Sequence, residues 1–106
     1  VFKATSRRFP GFLKSLLKQA QIQLTDINSI IPHQASAPAL EFLKRAVPNG
    51  REKVVDIFSD YGNQIAVSIP HALHIARQTD RTGPGSTSLL IGSSAGISLG
   101  GGIIKW

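Results

Sequence analysis

Two short apolar runs rich in β-branched residues, 27–31 and 54–58, lie between stretches of helical periodicity. That alternation constrains the fold more than any other feature of the chain. Phe12, Leu13, Leu16, Leu17 and Ala20 recur at helical spacing, with Lys14 and Lys18 four apart on the other side. Residues 12–22 therefore read as an amphipathic helix opened by Pro10-Gly11. The run 27–31 closes at Pro32, and Ser36 is placed to cap a helix over 37–47. Pro38 suits its first turn, where the N–H has no helical partner anyway. Leu40, Leu43 and Val47 form its apolar stripe, and Pro48-Asn49-Gly50 stops it. After the second run, Asp60-Tyr61-Gly62-Asn63 reads as a turn and 64–77 as a helix that Pro70 should bend or restart. Gln64, Ser68, His71, His74 and Gln78 share one face of it, and no charge occurs between Asn63 and Ala76, so this helix reads as buried. Runs 88–91 and 101–105 end the chain as a hairpin. The prediction is an α/β domain with a mixed sheet covered by helices.

The chain has 106 residues, a length that fits one domain and buries roughly two-thirds of the unfolded surface. With 42% hydrophobic and 17% charged residues it is neither a disordered tail nor a fibre, and with no cysteine it is not a disulfide-stapled mini-protein. The absence of cysteine also removes any thiolate nucleophile, thiolate metal site or redox pair. Position 1 is Val, which suggests a piece of a larger chain. The uncharged stretch 82–104 has the length of a membrane span, but its many glycines and its proline favour two buried strands, so no membrane association is expected.

The formal charge is +6, and Lys3, Arg7, Arg8, Lys14 and Lys18 place most of it in the first 20 residues. A basic edge suits a nucleic acid, an acidic protein or a phosphate-bearing ligand. No zinc finger, helix-turn-helix or aromatic-basic pattern supports nucleic acid, and a solvated helix face is the plainer explanation.

Two segments share one grammar: a strand, a polar residue at its end, then a helix. They are Ile30-Ile31-Pro32-His33-Gln34-Ala35-Ser36 and Ile57-Phe58-Ser59-Asp60-Tyr61-Gly62-Asn63. Ligands of α/β sheets bind at the carboxyl ends of strands. His33 and Asn63 both donate hydrogen bonds without bringing negative charge, and two such donors aimed at one oxygen stabilise an enolate or a tetrahedral intermediate. His71 and His74, three apart with no third ligand evident, read as structural, and Asp60 reads as a turn carboxylate.

Pro32-His33-Gln34-Ala35, followed thirty residues after the histidine by Gly62-Asn63 with Ala66, Ser68, Pro70, Ala72 and Leu73, resembles the C-terminal half of the ketoacyl-acyl-carrier-protein synthase III family. These are decarboxylating condensing enzymes of fatty-acid or polyketide-type biosynthesis with the thiolase fold. Ser94-Ala95-Gly96-Ile97-Ser98-Leu99-Gly100 resembles that family's glycine-rich turn before the last strand. The resemblance implies that residues 1–106 are the C-terminal domain of a larger acyltransferase. His33 and Asn63 would bind the thioester carbonyl of a malonyl-type partner, and backbone N–H groups near Ala95 would stabilise the tetrahedral intermediate. It implies a cytoplasmic, homodimeric parent with no resident cofactor, fed by coenzyme A and acyl-carrier-protein thioesters. The nucleophilic cysteine would lie in an N-terminal half that this chain does not include, so the chain alone should be inactive and should expose apolar surface or pair with another copy. Lys14 and Lys18 would contribute to carrier-protein docking; a non-catalytic module that meets an acidic carrier or partner through this helix is the alternative. The sequence departs from the family at Ser36, at Pro38 and at Ser94-Ala95-Gly96. These differences bear on docking and substrate width and leave the His/Asn pair intact.

Overall fold

The computed structural model describes residues 2–94 and 98–106. Helix α1 runs Phe2–Ala20, followed by strand β1 (Ser29–Pro32) and helix α2 (Ala37–Ala46). Two single helical turns, α3 (Gly50–Lys53) and α4 (Phe58–Tyr61), lead to α5 (Ser68–Gln78). Strands β2 (Thr87–Ser94) and β3 (Ser98–Lys105) close the chain.

The strands form one mixed sheet in the order β1-β2-β3. Strands β1 and β2 are parallel, with Ile30 opposite Leu89, and β2 and β3 are antiparallel, with Leu90 opposite Gly102. Side chains alternate across a strand, so neighbouring residues serve opposite layers. Ile30, Leu89 and Ile91 pack with Phe9 and Leu13 of α1 and Leu40 and Leu43 of α2. Ile31 faces the other way, onto Val55, Ile57 and the Ala72 and Ala76 face of α5. All four β1 residues are buried, as expected of a parallel strand covered on both sides.

Buried polar groups are paired. Ser88 Oγ lies 2.8 Å from Ser29 Oγ and 2.6 Å from Thr82 Oγ1, and it accepts the Trp106 indole N–H at 2.9 Å. The Arg77 guanidinium stacks 4.9 Å over the Trp106 ring. The last residue is thereby tied to the sheet.

The mixed α/β sheet and closing hairpin agree with the sequence expectation, and several boundaries do not. Helix α1 starts well before Pro10, which sits inside it on the exposed side, where a missing N–H is least costly. The expected strand 54–58 is reduced to one parallel bridge, Ile30 with Val54, and Phe58 already begins α4. The expected turn 60–63 is partly that helical turn. Pro70 marks a restart: a 3₁₀ turn at Ile65–Val67 precedes α5, and Pro70 falls in the first turn of the helix. Nor is α5 buried all round. Ser68, Ala72 and Ala76 face the core, while His74 and Gln78 are exposed.

Candidate active site

His33 continues directly from β1. Its backbone N–H extends the ladder by donating to the Ile91 carbonyl at 2.9 Å, and the Ala35 N–H then donates to the His33 carbonyl at 3.0 Å, turning the chain away. The half-buried ring therefore projects from a fixed point at the strand's carboxyl end. It lines two spaces. One is an open groove of 830 Å³ on the α5 side of the sheet. The other is a pocket of 240 Å³ with Phe9, Leu40 and Phe42 between α1 and α2.

Asn63 is positioned by a chain of local contacts. Gly62, at φ +67° and ψ −164°, closes α4 with its N–H on the Phe58 carbonyl at 2.7 Å, a positive-φ conformation that glycine adopts without a Cβ penalty. Asn63 Oδ1 then accepts the Ile65 N–H at 2.8 Å, and Ile65 itself is left-handed at φ +55°. The Gln64 N–H donates to the buried Ser68 hydroxyl at 3.0 Å, and Gln64 Oε1 meets His71 Nδ1 at 2.5 Å. The His71 ring packs against Tyr61 in a tilted arrangement, with centroids 4.4 Å apart and planes at 60°. The polar stripe read from the sequence thus splits: Gln64, Ser68 and His71 brace the Asn63 loop, which agrees with the structural reading of His71.

With its oxygen committed to Ile65, the Asn63 amide presents its NH₂ group, which makes one long contact of 3.4 Å to the Ala35 carbonyl. This joins the loop after β1 to the loop before α5. His33 and Asn63 line the same groove. Ile65 and Ile69 stand on one side of it, and Gly92, Gly100 and Gly102 leave its floor without side chains. No formally charged residue lines it among the described residues, and no cluster of three metal-ligating side chains occurs among them.

Ala95, read as the oxyanion backbone, lies outside the described residues. Lys14 and Lys18 are exposed on α1 and line neither space. The sequence reading gave no role to Gln34, although a lone amide directly after a buried strand is a signal in itself. It is fully buried, and its three hydrogen bonds all go to main chain.

The fold is thiolase-like: the chain superposes on the crystal structure of 3-oxoacyl-[acyl-carrier-protein] synthase III from Aquifex aeolicus with a TM-score of 0.88 and 28% identity, over 99% of this chain and 34% of that one. The chain belongs to the 3-oxoacyl-[acyl-carrier-protein (ACP)] synthase III C-terminal family, whose model matches residues 17–106. Over 106 residues it is 33% identical to beta-ketoacyl-[acyl-carrier-protein] synthase III 2 of Bacillus anthracis and 30% identical to beta-ketoacyl-[acyl-carrier-protein] synthase III of Clostridioides difficile. In each case all of this chain aligns to 32% of the relative, so it spans about a third of the length of the curated proteins it matches.

Proposed function

We propose that this chain is the C-terminal part of a decarboxylating Claisen-condensing acyltransferase, in which His33 and Asn63 hold the thioester carbonyl of a malonyl-type substrate. The observation that carries this reading is that both residues line one uncharged, largely apolar groove, each held by its own backbone contacts. When the bond between the malonyl carboxylate and the α-carbon breaks, carbon dioxide leaves and the electron pair moves onto the thioester oxygen as an enolate. Two donors that bring no negative charge stabilise the charge developing at that oxygen. The enolate carbon then attacks an acyl thioester, and the tetrahedral intermediate collapses with expulsion of the thiolate. The chain contains no cysteine, so that nucleophile belongs to another part of the parent, and this chain alone carries out neither acyl loading nor condensation.

The substrates are coenzyme A or carrier-protein thioesters, with no resident cofactor in this part. The groove's apolar wall, including Ile65 at 79% exposure, is the surface against which the rest of the parent packs, and the parent is a cytoplasmic homodimer. No helix among the described residues is long and apolar enough to cross a membrane.

The test uses the full-length protein. His33→Ala and Asn63→Ala should each slow malonyl-thioester decarboxylation by about 10²-fold, the usual effect of removing one oxyanion donor. Acyl loading of the nucleophile should stay within a few-fold of the parent. Loss of loading with decarboxylation intact would overturn the assignment.

A further inference from the structure

The two loops that carry His33 and Asn63 are not joined by a β-ladder. Main-chain pairing between β1 and the segment after α3 ends at the Ile30 with Val54 bridge and the Val55 N–H on the Ile30 carbonyl at 2.9 Å. Beyond it, one buried side chain takes over. Gln34 Nε2 donates to the Pro32 carbonyl at 3.0 Å and to the Val55 carbonyl at 3.1 Å, while its Oε1 accepts the Ile57 N–H at 2.9 Å. Both amide donors and one acceptor position are therefore used, all on main chain. Pro32 immediately precedes His33, and Ile57 immediately precedes α4, whose end delivers Asn63. The only other link between the loops that involves a candidate residue is the long, exposed contact of Asn63 with Ala35 among the described residues.

We infer that Gln34 is a positioning residue that sets the His33 and Asn63 loops in register with one another, so that both donors address one oxygen. This rests on the proposed function of that pair. A side-chain amide can do this where a strand cannot, because it bridges the diverging backbones and still lets each loop turn outward to the groove. Its bonds lie where water cannot substitute for them, so replacing the amide leaves the Ile57 N–H and the Val55 carbonyl without partners and lets the loops separate. A displacement of about 1 Å in a catalytic pair is enough to cost roughly 10²-fold in rate.

The experiment uses the full-length protein and two variants of similar volume: Gln34→Glu, which keeps the acceptor and loses the donors, and Gln34→Met, which removes all three bonds without adding charge. The expected result is a 10- to 100-fold fall in kcat for malonyl-thioester decarboxylation, with KM and acyl loading within about threefold of the parent. On a His33→Ala, Asn63→Ala background the same substitutions should add little further loss, because Gln34 acts through those two side chains. A crystal structure of Gln34→Met should show the His33 ring and the Asn63 amide displaced relative to one another. The inference is overturned if decarboxylation and loading fall in parallel, if the Gln34 loss is undiminished on the double-substituted background, or if neither variant accumulates as folded protein. If His33→Ala leaves decarboxylation unchanged while Gln34→Met displaces both groups, the positioning stands and the proposed chemistry of the pair falls.

Discussion

Asn63 and Ile65 are locked across a tight turn: the Asn63 side-chain oxygen takes the Ile65 N–H at 2.8 Å, and Ile65 is held in the left-handed region at φ +55°. A β-branched residue is a poor occupant of that conformation. Its side chain is 79% exposed, so within this chain little burial offsets the strain. Strain of this kind persists only where neighbouring contacts over-determine it, and here the Ser68 hydroxyl and His71 ring do so through Gln64.

Ile65→Asn should therefore stabilise the chain by about 1 kcal/mol, since Asn accepts the left-handed region more readily. Denaturant unfolding of this chain checks the sign. Unchanged or lower stability would show that the Ile65 side chain contributes contacts that outweigh the backbone cost.

Three consecutive glycines in β3 should behave differently. A Cβ at Gly101 would sit 2.8 Å from the Leu90 carbonyl oxygen, whereas one at Gly100 or Gly102 meets nothing within 4 Å. Glycine inside a strand is destabilising by roughly 0.5–1 kcal/mol relative to alanine when nothing requires it. In this chain, Gly100→Ala and Gly102→Ala should raise stability by up to about that amount, while Gly101→Ala lowers it. In the full-length protein both outer substitutions should instead be harmful, if another segment or a ligand closes on the groove floor. Paired unfolding and activity measurements separate the cases; a stabilised and fully active full-length Gly100→Ala would show that nothing approaches there.

Lys14 and Lys18 are solvent-exposed, on the side of α1 away from the core. If they meet an acidic carrier protein, Lys14→Glu with Lys18→Glu should raise KM for the carrier-bound substrate several-fold at low salt. The difference should shrink as ionic strength shortens the Debye length below about 10 Å. The coenzyme A-bound substrate serves as the control. Equal changes for both substrates, or none for the carrier, would remove these lysines from docking.

The Arg51 guanidinium grips the Glu41 carboxylate through both nitrogens, linking α3 to α2, with Arg45 nearby at 3.4 Å. The hydrogen bond from Arg51 is the largest influence on Glu41 and holds its carboxyl below the ordinary value of 4.5. A carboxylate depressed on folding stabilises above its unfolded value, and that contribution is lost as pH falls through the folded one. The stability difference between the parent chain and Arg51→Gln should be constant at neutral pH and vanish progressively below about 4.5. Because both groups are at the surface, added salt should diminish it. Urea midpoints from pH 3 to 7 check this; a difference that grows on acidification would exclude the pair as its source.

Local chemistry determined much of this protein from the sequence alone. The Leu13, Leu16 and Leu17 stripe, the Ser36 cap with Pro38 behind it, and the apolar run ending at Pro32 each carry their conformation in neighbouring residues. The Ser36 side chain does accept the Ala39 N–H at 3.2 Å. His33 and Asn63 were legible as strand-end and turn residues for the same reason. Tertiary structure decided what depends on long-range partners. Residues 54–58 have the composition of a strand, yet only Val54 forms a β-bridge; beyond it Pro32 has no N–H to offer, and the Gln34 amide holds the Val55 carbonyl and the Ile57 N–H. Periodicity cannot reveal that substitution: it depends on a single side chain meeting backbone more than twenty residues away. Likewise, the polar stripe of α5 gives no sign in sequence of which members brace a loop and which face water. That division follows from where the helix lies on the sheet, with Ser68 turned inward and His74 out.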